Sequence, residues 1–121
     1  VNNSQDIYVL EPEYNANSQI IFRDNIKPMI KGKHVLVLMA SVTTGFTAKR
    51  SIEAIRYYGG QVAGVAAIYR AVDQVEGYPV RSVYSIQDLP DYASYDYRDC
   101  PYCKQGIKID ALVNSFGFSA L

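Results

Sequence analysis

The order of apolar and polar residues predicts a strand, a helix and a second strand in the middle of the chain. His34 to Leu38 is apolar after its first residue, which is typical of a strand buried on both faces of a parallel sheet. From about Thr47 to Tyr58, apolar residues recur every three or four positions, which predicts an amphipathic helix that ends at Gly59-Gly60. The second apolar run is Gln61 to Ile68. We therefore predict an α/β fold with a mostly parallel sheet and a βαβ crossover.

Shorter apolar segments flank this βαβ unit. Ile7 to Leu10 and Gln19 to Phe22 are separated by a polar, turn-forming segment, so we predict that they form a β-hairpin. Val80 to Tyr84 predicts a further strand after the unit. Residues 91–99 are polar and rich in tyrosine, which indicates irregular structure. The expected organisation is a single domain in three parts: an N-terminal hairpin and connector (1–31), the βαβ core (32–90) and a cysteine-containing tail (91–121).

The composition excludes several classes of protein. The 121 residues are 49% hydrophobic and 20% charged, which is typical of a globular domain. Basic and acidic residues number 12 each, so the chain lacks the basic excess of a nucleic-acid-binding protein. No apolar run approaches the roughly 20 residues that span a bilayer, so we expect no membrane segment. With two cysteines and no visible secretory signal, we expect a cytoplasmic protein.

The turn from Thr43 to Thr47, between the first strand and the helix, is the first candidate site. A helix that begins after a turn directs unpaired backbone N–H groups toward that turn. Together with the helix dipole and three threonine hydroxyls, these N–H groups favour a bound phosphate. Most turns of this kind only cap the helix, which Thr44 or Thr47 would do here. The residues alone leave both interpretations open.

The sequence around this turn resembles the phosphoribosyl pyrophosphate signature of type I phosphoribosyltransferases. That signature is a hydrophobic strand, two acidic residues, two aliphatic residues, then Thr-Thr-Gly, a small residue and Thr or Ser. Gly32 to Leu38 matches the strand, and Ser51 to Ile55 resembles the helix that follows. The resemblance implies a type I phosphoribosyltransferase-like core with Ser41 on the ribose side. By position, it also implies a 5-phosphate site made of Thr43, Thr44, Gly45, Phe46 (through its backbone N–H) and Thr47.

The chain departs from that signature at the two acidic positions, which are Met39 and Ala40 here. In the family these carboxylates hold the ribose hydroxyls, directly or near Mg²⁺, and balance the positive charge of the transition state. The loss of one charge-assisted hydrogen bond costs about 1.5–3 kcal/mol. Two such losses would weaken transition-state stabilisation by roughly two orders of magnitude or more. The resemblance thus implies Mg²⁺ as a cofactor and leaves the catalytic residues unassigned.

Cys100 and Cys103 form a CxxC motif, which is the second candidate site. Such a pair is half a zinc site, a redox dithiol or two packing residues. Zinc needs four ligands, and the single histidine, His34, lies in a predicted strand, where we expect a structural role. A zinc site would therefore need two chains. The tetrapeptide equals the active-site motif of glutaredoxins, where it opens a helix; here it follows an irregular segment, so we interpret that match as coincidence.

The residues from Cys100 to Ile109 resemble the tail CPLC-x-x-G-I-P-L of one branch of orotate phosphoribosyltransferases. Two motifs in the family's order indicate an orotate phosphoribosyltransferase-like domain of pyrimidine nucleotide biosynthesis. Its ligand would be phosphoribosyl pyrophosphate or a nucleotide 5′-phosphate, and the family implies a homodimer. Only 42 residues precede Thr43, which is short for the family's N-terminal segments, so we expect a domain that is incomplete at its N-terminus.

Two alternatives stay open beside this hypothesis. One is a non-catalytic regulatory module that keeps the phosphate site after loss of the acidic pair at Met39 and Ala40. The other is an interaction domain in which zinc bridges Cys100 and Cys103 of two chains.

Overall fold

The computed structural model describes residues 6–121, and the chain divides into two compact units. The first unit ends at Pro90 and the second is Asp91–Leu121, so the division falls where the sequence separates core from tail. The single-domain organisation stays a prediction. The expectation of a domain that is incomplete at its N-terminus also stays a prediction.

In its described residues, the first unit contains six β-strands and one α-helix. A short 3₁₀ turn, Lys27–Met29, lies in the predicted connector. The remaining elements, in chain order, are β1 (Glu13–Tyr14), β2 (Ile20–Ile21), β3 (His34–Val42), α1 (Phe46–Tyr57), β4 (Gln61–Arg70), β5 (Gln74–Val75) and β6 (Tyr78–Ser85).

A four-stranded sheet in the order β3-β4-β6-β5 forms the centre of this unit. Strand β4 pairs in parallel with both β3 and β6, and β5 pairs with β6 antiparallel. Helix α1 connects the parallel neighbours β3 and β4. The predicted α/β class, the βαβ unit and the mostly parallel sheet are therefore confirmed, and the short edge strand β5 makes the sheet mixed.

Strand β3 is longer than the apolar run predicts. It continues to Val42 because the ladder with β4 continues, with Met39 opposite Ala67 and Ser41 opposite Tyr69. Pairing between backbones does not require apolar side chains, so the hydrophobic pattern alone stops too early. The two positions that lack acids thus lie inside the paired strand.

The N-terminal hairpin is real, but its first strand is misplaced in the prediction. Ile7 to Leu10 lies outside regular structure, and β1 is Glu13–Tyr14, which pairs with β2 so that Tyr14 lies opposite Ile20. The carboxamide oxygen of Asn15 accepts the N–H groups of residues 17 and 19, at 2.9 Å each. This side-chain turn starts directly after β1 and sets the register, so the strand lies next to the turn and not at the apolar run.

The core lies between α1 and one face of the sheet. The buried side chains of the helix are Ala48, Ile52 and Ile55, the stripe that its periodicity predicts. They pack in one cluster with buried valines of every strand of the sheet, namely Val37, Val42, Val65, Val75 and Val80. Burial of this stripe fixes the helix, and with it the turn that precedes it, against the sheet.

The face of β3 that points away from α1 is exposed, contrary to the prediction that this strand is buried on both faces. Leu36 is 54% exposed and Leu38 is 73% exposed, although Val37 between them is buried. The register places Leu36 opposite Gly64, whose missing side chain leaves room for the leucine. Helix α1 covers only the Val37 face, so in the described residues the second apolar face of this parallel sheet stays open to solvent.

The second unit contains a short helix and a hairpin. Helix α2 is Pro101–Lys104, β7 is Ala111–Asn114 and β8 is Gly117–Ala120, with β7 and β8 antiparallel. The predicted irregular segment over residues 91–99 is confirmed. The sequence analysis missed this hairpin, whose turn is stabilised by a hydrogen bond from the Phe116 N–H to the Asn114 carboxamide oxygen. No helix among residues 6–121 is long and apolar enough to cross a membrane.

Gly60, three residues after the end of α1, allows the chain to approach Ile30 of the connector closely. A Cβ atom there would lie 2.8 Å from Ile55 Cγ2 and 3.1 Å from the Ile30 carbonyl oxygen. We expect Gly60→Ala to lower the free energy of unfolding of the first unit by about 1–3 kcal/mol, because the added methyl group overpacks the core. Urea denaturation followed by circular dichroism measures this change.

The matched control is Gly64→Ala. A Cβ atom at Gly64 would meet only Leu36 Cδ1, at an ordinary 3.6 Å, so this variant removes a strand glycine without overpacking. Equal destabilisation of the two variants would contradict the packing explanation for Gly60.

Candidate functional site

The turn between β3 and α1 leaves backbone N–H groups unpaired at the start of the helix. Helix α1 begins at Phe46, and Gly45 before it has a φ of 79°, in the left-handed region. The first backbone hydrogen bond of the helix runs from the Lys49 N–H to the Gly45 carbonyl, at 2.8 Å. Within residues 6–121, the N–H groups of Thr47 and Ala48 donate to no backbone carbonyl, since both precede that bond. These amides are available to a ligand at the positive end of the helix.

In the described part of the chain, one side-chain hydrogen bond reaches the first amides of α1, and it runs from the Phe46 N–H to Thr44. The threonine hydroxyl oxygen lies 3.4 Å from the Phe46 nitrogen, a long hydrogen bond that an anion could replace. Gly45 has no side-chain cap of its own. The turn is thus a weakly capped helix start, and both interpretations of it, as a cap and as a phosphate site, stay predictions.

Gly45 is required at its position for two reasons. Its positive φ is a conformation that residues with a Cβ atom rarely adopt. In addition, a Cβ atom on Gly45 would lie 2.9 Å from Val75 Cγ2 on β5. The neighbouring edge strand therefore holds the turn in place.

The predicted site residues come together around this turn with different exposure. Thr44 and Thr47 are exposed, Thr43 is half-buried and Gly45 is buried. The exposed Phe46 ring stacks on the Arg50 guanidinium at 4.2 Å from the ring centroid, so it lies against its own helix. The roles of these residues toward a phosphate stay predictions.

An open cleft of about 530 Å³ adjoins the turn. One wall is formed by Thr44 to Phe46 together with Lys49, and the other by the segment Gln74 to Glu76. Lys49 Nζ lies 3.2 Å from a Glu76 carboxylate oxygen, across the cleft. Neither Lys49 nor Glu76 was among the site residues predicted from the sequence, because no local pattern connects residues so far apart in the chain.

The end of β3 lacks carboxylates where the signature has them. Met39 is partly buried and packs against the core cluster, while Ala40 and Ser41 are exposed. The acid of the cleft is Glu76, and Lys49 is already paired with it. Among residues 6–121, no group of three or more His, Cys, Asp or Glu side chains is arranged to hold a metal ion.

The other candidate residues are not part of the turn. His34 is exposed at the first position of β3, whereas the turn follows the last position of that strand. Cys100 and Cys103 belong to the second unit and both are free thiols. Cys100 directly precedes α2, so the CxxC motif opens a short helix, although it follows the irregular segment that the sequence predicts.

No protein-family model matches the chain. Similarity to curated proteins is found instead: the orotate phosphoribosyltransferase of Thermotoga maritima is 42% identical over 84 residues, and that of Caldanaerobacter subterraneus subsp. tengcongensis is 38% identical over 81 residues. The chain is related to orotate phosphoribosyltransferases. The resemblance predicted from the two motifs is therefore confirmed. The orotate phosphoribosyltransferase of Pelotomaculum thermopropionicum, 39% identical over 77 residues, agrees with this relationship.

The relationship covers 68%, 65% and 63% of this orotate phosphoribosyltransferase-like chain for the proteins of Thermotoga, Caldanaerobacter and Pelotomaculum. The same alignments cover 41%, 40% and 39% of those relatives. The chain thus spans about two fifths of the length of the curated relatives that it matches. The zinc-bridged interaction domain gains no support from them.

Proposed function

We propose that the first unit binds the 5-phosphate of phosphoribosyl pyrophosphate or of a pyrimidine nucleotide, as part of an orotate phosphoribosyltransferase-type protein of pyrimidine nucleotide biosynthesis. The observation that carries this proposal is the turn at Gly45, which opens α1 with unpaired amides in a chain related to orotate phosphoribosyltransferases. A phosphate monoester accepts several hydrogen bonds and carries close to two negative charges, so it matches convergent N–H donors.

The hydroxyl groups of two threonines add donors to the proposed phosphate site. The exposed hydroxyls of Thr44 and Thr47 flank the unpaired amides, and each hydroxyl can donate one hydrogen bond to a phosphate oxygen. Lys49, one helical turn after Gly45, adds a positive charge that Glu76 now neutralises. A bound phosphate would compete with Glu76 for this ammonium group, so Lys49 would contribute less than a free lysine does.

A second candidate function is binding without efficient transfer. It is favoured by Met39, whose packing against the core leaves an apolar side chain where the signature has a carboxylate. Exposed Ser41 can offer the ribose a hydroxyl but no charge. The unit would then act as a phosphate- or nucleotide-binding regulatory module.

The residues at the turn do not fit a magnesium ion held by the protein. Mg²⁺ prefers carboxylate and phosphate oxygens in octahedral geometry, and positions 39 and 40 provide no carboxylate. The remaining acid, Glu76, is paired with Lys49. Any Mg²⁺ would therefore have to be held mainly by the diphosphate of the ligand, and the proposal includes no step through a metal on the chain.

Isothermal titration calorimetry with phosphoribosyl pyrophosphate and with orotidine 5′-phosphate tests the binding proposal. We expect one site per chain for each ligand and competition by inorganic phosphate, because the shared phosphate group provides the contacts. Ribose 5-phosphate should also compete, whereas ribose should not. Absence of binding by all phosphate compounds would overturn the proposal.

A spectrophotometric orotate assay separates the two candidate functions. We expect turnover at least about 100-fold below a typical enzymatic rate, because both acids are absent. Turnover above about 1 s⁻¹ would contradict the non-catalytic module and assign the chain to the active enzymes.

A further inference from the structure

The cysteine pair belongs to the second unit, whereas the proposed phosphate site consists of residues of the first. Cys100 directly precedes α2 and Cys103 lies within it, so the two residues are three positions apart on one helical turn. Side chains at this spacing lie on the same face of a helix. Helix geometry places their Cα atoms about 5 Å apart, within the range of roughly 4.4–6.8 Å that a disulfide bridges. The backbone spacing of the two residues is therefore compatible with a disulfide.

Hydrogen bonds close this turn at both ends. The Lys104 N–H donates to the Cys100 carbonyl at 3.1 Å. After the helix, the Gly106 N–H donates to the Cys103 carbonyl at 3.1 Å, and the Ile107 N–H donates to the Tyr102 carbonyl at 3.0 Å. Pro101 restricts the backbone at the first helical position. The spacing of the two cysteines is thus fixed by the local fold.

The two thiols have different surroundings. The sulfur of Cys100 accepts hydrogen bonds from the backbone N–H of Cys103, from the Cys103 thiol and from the backbone N–H of Tyr102. These bonds, with a smaller contribution from the Lys104 ammonium, lower the pKa of Cys100 below that of an ordinary thiol. Its hydrogen bond to Cys100 raises the pKa of Cys103. Cys103 is exposed and Cys100 is partly exposed, so both sulfurs are open to solvent.

We propose that Cys100 and Cys103 are a reversible redox dithiol whose substrate is a low-molecular-weight disulfide, with Cys100 as the attacking sulfur and Cys103 as the resolving one. This inference is independent of the phosphate-binding proposal. A metal site within one chain is disfavoured, because the described residues bring no third ligand to the pair.

The reaction balances as a thiol–disulfide exchange. The Cys100 thiolate attacks one sulfur of the small disulfide, forms a mixed disulfide and releases the first small thiolate. Cys103 then loses its proton and attacks the Cys100 sulfur, which forms the Cys100–Cys103 bond and releases the second thiolate. The two chain thiols are oxidised, the small disulfide is reduced to two thiols, and the two protons end on the released thiolates at neutral pH.

The test uses the 121-residue chain in buffers that range from reduced to oxidised glutathione, quenched with an alkylating reagent and analysed by mass spectrometry. We expect loss of both thiols within one chain in the oxidised buffer and full recovery in the reduced buffer. Cys103→Ser should accumulate one mixed disulfide with glutathione at Cys100. Cys100→Ser should react more slowly at pH 7, because the backbone N–H groups of Tyr102 and Cys103 both stabilise the thiolate of Cys100.

The pH dependence of alkylation distinguishes a redox pair from two cysteines that only pack against their neighbours. The rate for Cys103→Ser should reach half its maximum at a lower pH than the rate for Cys100→Ser. Absence of an intramolecular disulfide, a disulfide only between two chains, or equal rates for the two variants would overturn the proposal. If a serine variant loses its circular dichroism signal, peptide mapping of the wild-type chain after limited alkylation shows which cysteine reacts first and decides between the same outcomes.

Discussion

The Thr44→Val and Gly45→Val double variant should lose binding of phosphoribosyl pyrophosphate. Valine at position 45 is strained at a φ of 79°, and its Cβ atom would lie 2.9 Å from Val75 Cγ2, so the turn must move. Valine at position 44 also removes a hydroxyl donor. Each charge-assisted hydrogen bond to a phosphate is worth about 1.5–3 kcal/mol, so loss of two or more lowers the affinity at least about 100-fold. Calorimetry measures the change.

The control for this variant is Gly32→Val. Gly32 also has a positive φ, of 71°, but a Cβ atom there would meet nothing within 4 Å. It precedes β3, at the opposite end of that strand from the turn. The control should therefore carry a similar backbone strain and leave the affinity unchanged. Unchanged affinity in the double variant would remove the turn at Gly45 as the phosphate site.

Ile52→Ala should cause the largest loss of stability among the helix variants of the first unit. Ile52 is 0% exposed and lies in the middle of the buried stripe of α1. Truncation removes buried methyl groups and leaves a cavity, which costs about 2–5 kcal/mol. This is a large part of the roughly 5–15 kcal/mol that stabilises a typical domain. The decrease is measured as a lower midpoint of urea denaturation.

The matched substitution is Ile68→Ala on β4. Ile68 is 59% exposed, so its truncation removes little buried surface and creates no cavity. We expect a change within about 0.5 kcal/mol. If the two variants lose equal stability, α1 is not held to the sheet by its apolar stripe, and the position of the phosphate turn needs another explanation.

The residues that repeat with a local period predicted most of the fold. The spacing of Ala48, Ile52 and Ile55 gave the buried face of α1, and the apolar runs gave β3 and β4. Elements without such a period were less predictable. The apolar run predicts the first strand of the N-terminal hairpin at Ile7 to Leu10. In the structure this strand is Glu13–Tyr14, next to the turn that Asn15 stabilises.

The candidate phosphate site was predictable only in part. The position of the turn was predicted from the strand and helix patterns on either side of it, and its candidate role was predicted from the resemblance to the phosphoribosyl pyrophosphate signature. Its second wall, from Gln74 to Glu76, carries no motif. The ion pair between Glu76 and Lys49 depends on where β5 returns along the sheet, which no local pattern reveals.

The sequence by itself determined the βαβ unit, the buried stripe of α1, the relationship to orotate phosphoribosyltransferases and the absence of acids at Met39 and Ala40. These features depend on residue identity and on periods of two to four residues, which are local properties of a chain. Only the tertiary structure decided that Val75 of β5 lies next to Gly45 and that one face of β3 stays exposed to solvent. Such contacts join residues distant in sequence, and they are fixed by how whole elements pack rather than by any short segment.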